Sequence, residues 1–181
     1  NTIVHLGDIH DKWDTSDGWK NKIVKILRDY KGKFYTLIGN HDLPYNSDAY
    51  HNQTCLHNLE LSGVLKILRS ELVLSNVVLA PLSLNIKEAK KQFYYYNENQ
   101  KIGFQYILCG HHFYEFGLSP DSGFTEEDLK SYNQSVDMIL GHDHRQYDQL
   151  QVGAVRLLRP GSLMRTELSE VMIDHKPRIL I

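Results

Sequence analysis

Short apolar runs alternate with stretches of helical period along this chain, and most of the runs stop at a glycine. Thr2 to Leu6 reads as a buried strand ending at Gly7. Trp19, Ile23, Ile26, Leu27 and Tyr30 recur at helical spacing, with Ser16 or Asp17 as N-cap. Gly32 closes that helix, and Lys33 to Ile38 predicts a second strand ending at Gly39. The stretch 48–70 fits one helix broken around Gly63, without a clean period. Leu72 to Leu84, interrupted at Ser75-Asn76, predicts a hairpin. Ile86 to Tyr96 predicts a helix, although its end at Phe93-Tyr-Tyr-Tyr96 also suits a strand. Phe104 to Cys109 is a strand ending at Gly110, and Thr125-Glu-Glu-Asp128 opens a helix to about Tyr132 with a capping box. Val136 to Leu140 is a strand ending at Gly141, and further strands are expected around 147–152, 154–158 and 170–181.

This order alternates strand with helix in its front half and is mostly strand in its back half, which predicts a mixed α/β architecture with parallel pairing. The 181 residues suit one domain with a sizeable core, and no repeat, low-complexity tract or linker divides them. A net charge of −2 excludes global attraction to nucleic acid, so such binding would need a local basic patch. No apolar run is long enough for a membrane helix, and no signal peptide is visible, so no membrane partner is expected. Cys55 and Cys109 form no disulfide or zinc pattern, and a reducing, cytoplasmic setting is expected. The glycosylation-type triplets at Asn52 and Asn133 read as incidental.

Chemistry concentrates where four of the strands end. Each glycine is followed at once by ligand-type residues: Gly7-Asp8-Ile9-His10-Asp11, Gly39-Asn40-His41-Asp42, Gly110-His111-His112 and Gly141-His142-Asp143-His144. Sites in α/β sheets form at the carboxyl ends of strands, where the loops converge. A glycine lets the backbone turn there, and Asp, Asn and His offer oxygen and nitrogen donors for divalent metals. One such ending means little; four in order, about thirty, seventy and thirty residues apart, form a strong signal.

The set resembles the calcineurin-like metallophosphoesterases, whose motifs run D-x-H, GDxxD, GNH(D/E), a His or His pair, and GHxH. The resemblance spans almost the whole chain and implies a four-layer α-β-β-α sandwich with mixed sheets. It implies hydrolysis of phosphate esters with two divalent metal ions as cofactors, manganese first, with iron, zinc, nickel or magnesium as alternatives. Asp8 would bridge the metals; Asn40, His111 and His142 would bind the second metal and His144 the first. His112 remains the alternative to His111. His41 would stabilise or protonate the leaving oxygen, and Asp42 would orient His41 by hydrogen bonding. Two cations can activate water and neutralise phosphate oxygens, so no Ser or Cys nucleophile is required, and Cys109 reads as a buried core thiol.

The departure is the first motif, since only seven residues precede Asp8. Reading Asp8-Ile9-His10 as D-x-H itself would require a GDxxD before Asn40, where Asp11, Asp14, Asp17 and Asp29 occur but none follows a glycine. The second-motif reading is therefore preferred. The chain starts at Asn1 inside one apolar segment and stops at Ile181 inside another, so residues 1–181 read as a single domain lacking the first strand and D-x-H, and cut at its C-terminus too.

After the last motif comes Arg159-Pro-Gly-Ser162, and Arg165 or Arg159 would contact substrate phosphate, against the plain reading of a structural turn with a surface arginine. The short spacings and Asp11-Lys12-Trp13 look similar to small phage and bacterial enzymes, including an SbcD-like nuclease branch, so DNA or RNA joins phosphatase and phosphodiesterase substrates as an expected partner. The alternative is a non-catalytic, protein-binding scaffold of the same fold, which the presence of His41 opposes. His5, His51, His57 and His175 fall outside the motifs and are assigned to packing or surface. Phe93 to Tyr96 and Lys87, Lys90 and Lys91 read as a packed edge and a solvated helix face before they read as nucleic-acid contacts.

Overall fold

The computed structural model describes residues 1–114, 123–143 and 147–161. Its Cα packing divides the chain into two units, Asn1–Arg69 and Ser70–Ile181.

In the first unit, β1 (Thr2–His5) lies parallel to β2 (Lys33–Thr36), and β2 lies parallel to β3 (Lys66–Ile67). The crossover from β1 to β2 is α1 (Asp17–Asp29), which starts after Ser16 as expected. One stripe of α1, Ile23, Val24 and Leu27, packs on a small core of Leu56, Leu59, Leu65 and Ile67. Trp19 and Ile26 lie beside that stripe yet stay exposed, so the helix has no fully buried residue.

The stretch 48–70 is not one broken helix. It forms a short 3-10 segment (Asp48–Gln53), then α2 (Cys55–Leu61), then β3. Thr54 caps α2 by accepting from the His57 N–H at 3.1 Å, and Gly63 at φ 72° reverses the chain after the helix. Leu56 and Leu59 face the core, which leaves Lys66 and Ile67 to extend the sheet beside Tyr35 and Thr36.

The second unit is built on a six-stranded mixed sheet. Its strands are β4 (Leu72–Leu74), β5 (Val77–Pro81), β6 (Gln105–Gly110), β9 (Val136–Leu140), β10 (Tyr147–Val152) and β11 (Val155–Arg159), with β7 (Phe113–Tyr114) and β8 (Gly123–Phe124) paired separately. The order across the sheet is β10-β11-β9-β6-β5-β4, parallel at its centre and antiparallel at both edges. The hairpin β4–β5 turns at Ser75, which adopts φ 56°.

Helix α3 (Ile86–Glu98) carries Phe93-Tyr-Tyr-Tyr96 in helical form. Its N-cap Asn85 accepts from the Lys87 and Glu88 N–H groups, which fixes the helix start. Phe93 and Tyr96 are buried while Tyr94 and Tyr95 remain on the surface. Phe93 meets Tyr132 at 4.6 Å and Phe124 at 5.3 Å between ring centroids, forming the aromatic centre of a core with Leu108, Met138 and Leu140. Helix α4 (Glu126–Lys130) has the expected Thr125–Asp128 capping box and ends before Tyr132. Lys90 pairs with Asp128 and Lys91 with Glu88. The fold is thus mixed α/β with parallel and antiparallel sheets; the strand expected around 170–181 lies outside the described residues.

Candidate metal centre

In the first unit, two parallel strands deliver two motifs side by side. Leu37 N–H bonds the His5 carbonyl at 2.9 Å, so β1 and β2 end together and release Gly7-Asp8 and Gly39-Asn40 into adjacent loops. The turn after β1 is strained: Gly7 has φ 95° and Asp8 φ 54°, a left-handed conformation that costs a non-glycine residue energy. What holds it is the buried Asp42 carboxylate. It accepts from the Asp8 N–H at 2.9 Å, the Gly39 N–H at 2.9 Å and the His10 N–H at 3.3 Å. The Asp8 carboxylate in turn accepts from the His41 N–H at 2.8 Å.

Gly39 is compulsory in this arrangement. A Cβ placed there would lie 2.0 Å from Asp8 Oδ1 and 2.2 Å from the Asp8 nitrogen. The glycine of the second motif therefore exists to let the aspartate of the first come close.

His41 is oriented by Asp11, not by Asp42 as the sequence led us to expect. Its Nδ1 lies 2.8 Å from the Asp11 carbonyl, an acceptor, so Nδ1 carries the proton and donates. That fixes the tautomer and leaves Nε2 as the nitrogen available to a ligand. His41 is exposed and, with Asn40, Asp11, Lys12, Trp13, Asp14 and Leu43, lines an open cleft of about 450 Å³. Beneath these loops His10 is 4% exposed, and neither ring nitrogen has a hydrogen-bond partner. Its Nδ1 stands 3.7 Å from Asp42 Oδ1.

The second unit repeats the device. Strands β6 and β9 are adjacent and parallel, Gly110 pairs with Leu140, and the Gly141 N–H bonds the Gly110 carbonyl at 2.9 Å. His111 and His142 leave these neighbouring ends and meet, with His142 Nδ1 3.0 Å from His111 Nε2. His142 has φ 73°, a second strained non-glycine residue at a motif. The pair fits a metal ion: two imidazole nitrogens bound at about 2.1 Å and at right angles, as in an octahedral sphere, stand ~3 Å apart.

His112 is turned elsewhere. It is buried, lies 2.7 Å from the Ser83 carbonyl through Nε2, and packs on Phe124. Burial pushes its pKa down to about 4, so it is a neutral donor to that carbonyl. Of the two neighbours, His111 is the one that reaches His142.

Arg159 is engaged inside the second unit. Its guanidinium donates to the Tyr114 carbonyl at 2.9 Å and lies 4.0 Å from the Asp143 carboxylate. His144 and Arg165 lie outside the described residues. Cys109 is a buried free thiol whose pKa burial raises to about 12, which suits a core residue and not a nucleophile. Sequence reasoning missed the Asp11 carbonyl, because a backbone acceptor carries no residue signature. It also missed Asp42 as the anchor of three amides, for which a buried Asp beside a GN turn was the available signal.

Comparison with known proteins agrees with this picture. The sequence profile described as calcineurin-like phosphoesterase matches residues 1–146. No curated protein matches the chain. Among solved structures, TT1561 of Thermus thermophilus superposes with a TM-score of 0.58 at 13% identity, over 88% of this chain and 76% of that one. At that identity the likeness is one of fold. Among the described residues, no helix is long and apolar enough to cross a membrane.

Proposed function

Because the chain belongs to the calcineurin-like phosphoesterase family, we propose that it hydrolyses phosphate esters with two divalent metal ions, manganese being the first choice. When bound, such ions neutralise phosphate oxygens and activate water for in-line attack. Asp8 and Asn40 from the first unit, and His111, His142 and His144 from the second, would hold them.

The chain's own groups do the rest. Asp42 fixes the loops of Asp8 and Asn40 through backbone amides, so the carboxylate and amide donors need little reorganisation on loading. His41, held at Nδ1 by the Asp11 carbonyl, presents Nε2 to the cleft, where a protonated imidazole can donate to the leaving oxygen. The single observation that carries this reading is that anchored, solvent-facing His41 next to Asn40. A purely structural loop would have no need of an exposed imidazole fixed in one tautomer.

The test is hydrolysis of bis-p-nitrophenyl phosphate and p-nitrophenyl phosphate with added manganese, alongside a metal-content measurement. His41→Ala should lose turnover by roughly 10²- to 10⁴-fold while retaining metal. Bound metal with no hydrolysis of either ester would replace this reading by the binding scaffold.

A further inference from the structure

We propose that Trp13 forms a stacking platform for the leaving group, and that the preferred leaving group is a nucleoside without a further phosphate. The proposal rests on the reading of His41 as the group facing the leaving oxygen. The Asp11 carbonyl orients that imidazole at 2.8 Å, and two residues on, Trp13 lines the same cleft. Whatever leaves beside His41 therefore leaves past the indole.

Trp13 is presented and not merely exposed. Its carbonyl accepts from the Cys55 N–H at 2.9 Å, at the start of α2. The preceding Lys12 carbonyl accepts from the Thr15 hydroxyl at 2.7 Å and the Thr15 N–H at 3.3 Å, and the Thr15 carbonyl accepts from the Cys55 thiol at 3.1 Å. This turn is thus tied down on both sides of the indole, yet the residue keeps 38% of its surface open to solvent. The chain's other tryptophan differs: Trp19 lies on α1 with the Lys22 ammonium 4.4 Å over its ring, and it lines no part of the cleft. An open indole carried on a tied-down turn beside a polar cleft is the feature that takes a flat aromatic ring, and base-on-aromatic stacking is a substantial source of affinity.

Charge narrows the class. The cleft wall beside Trp13 carries the carboxylates of Asp11 and Asp14 against the one ammonium of Lys12. A leaving group bearing its own phosphate would meet net negative charge there, whereas an uncharged nucleoside would not. Dinucleoside monophosphates should therefore be used better than the same compounds with a phosphate on the departing nucleoside.

The experiment has two arms. In a Trp19→Phe background Trp13 is the sole tryptophan, and titration with adenosine should quench its emission saturably, with or without metal. In the second arm, kcat/KM is compared for a dinucleoside monophosphate and for the methyl ester of the same nucleotide, whose leaving group has no ring. Trp13→Ala should collapse the preference between these two substrates by roughly ten-fold or more, and Trp13→Phe should restore most of it. Quenching without any hydrolysis would uphold the platform and overturn the reaction assigned above. Hydrolysis with no quenching, or with a preference untouched by Trp13→Ala, would overturn the platform and leave the reaction standing. Oligonucleotides tested beside dinucleotides then show whether polymer or small nucleotide is the source of the base.

Discussion

The two units solve the same local problem with unequal resources. Each ends a pair of adjacent parallel strands in glycine-led motifs, and each forces one non-glycine motif residue, Asp8 or His142, into a left-handed conformation. The second unit supports this on a six-stranded sheet with an aromatic core around Phe93. The first has three short strands, a small aliphatic core and a helix with no fully buried residue. Packing cannot hold its motif loops alone, and the buried Asp42 carboxylate does so through three amides. Where the core is thin, the site is organised by hydrogen bonds; where it is thick, by strand register.

The buried histidines show the same contrast. His112 in the second unit has the Ser83 carbonyl as partner, whereas His10 in the first has neither ring nitrogen hydrogen-bonded. A buried polar group without partners lowers stability. The first unit therefore carries an unpartnered buried imidazole on top of the weaker core.

The largest difference should appear in core truncations. Phe93→Ala removes a fully buried ring touching Tyr132 and Phe124 and should cost about 3–5 kcal/mol, read from urea midpoints. Ile23→Ala, on the half-buried stripe of α1, should cost about 1 kcal/mol. Equal losses would show that the first unit is as tightly packed as the second.

Next come the glycines. Gly39→Ala would place its methyl against the backbone nitrogen of Asp8, held by Asp42, and against the Asp8 carboxylate, held by the His41 N–H, so the loop must move. Stability should fall by about 2–3 kcal/mol, with a marked loss of manganese affinity by titration calorimetry. Gly110→Ala meets side-chain carbons of His112 and Leu140 at 3.1 Å and of Leu82 at 3.4 Å, which can yield, and should cost nearer to about 1 kcal/mol. A Gly110 variant as damaged as the Gly39 variant would remove the distinction between the two ends.

Much of this was legible in the sequence, and the illegible parts share a cause. The strands ending at Gly7, Gly39, Gly110 and Gly141 carry their own apolar runs and stop signals, so local pattern suffices. The two residues of β3 do not; Lys66 and Ile67 are a strand only because Tyr35 and Thr36 lie beside them. That His111 meets His142 while His112 turns away depends on a carbonyl at Ser83, far away in sequence. The orientation of His41 depends on a carbonyl at Asp11 and not on the neighbouring carboxylate. Backbone partners leave no trace in residue identity, and they decide the fine structure of this site.

The smallest effect concerns how the first unit compensates at its far edge. Glu60 on α2 receives both terminal nitrogens of Arg69, at 2.6 and 2.8 Å, and accepts from the Ile67 N–H at 3.0 Å, tying α2 to β3. The Arg69 hydrogen bonds hold the Glu60 carboxyl below its ordinary value, against the opposing effect of partial burial. A carboxylate depressed on folding contributes stability that is complete above the unfolded glutamate pKa, about 4.3, and disappears as pH falls through the folded value. Glu60→Gln keeps an acceptor for Ile67 but removes the charge. The wild type should therefore exceed this variant by about 1 kcal/mol or less at pH 7, a figure limited by solvent screening at Arg69, and the two melting temperatures should converge below pH 4. A gap that persists unchanged at pH 3 would assign the contribution to shape and the amide contact, and the first unit would then owe its outer edge to packing after all.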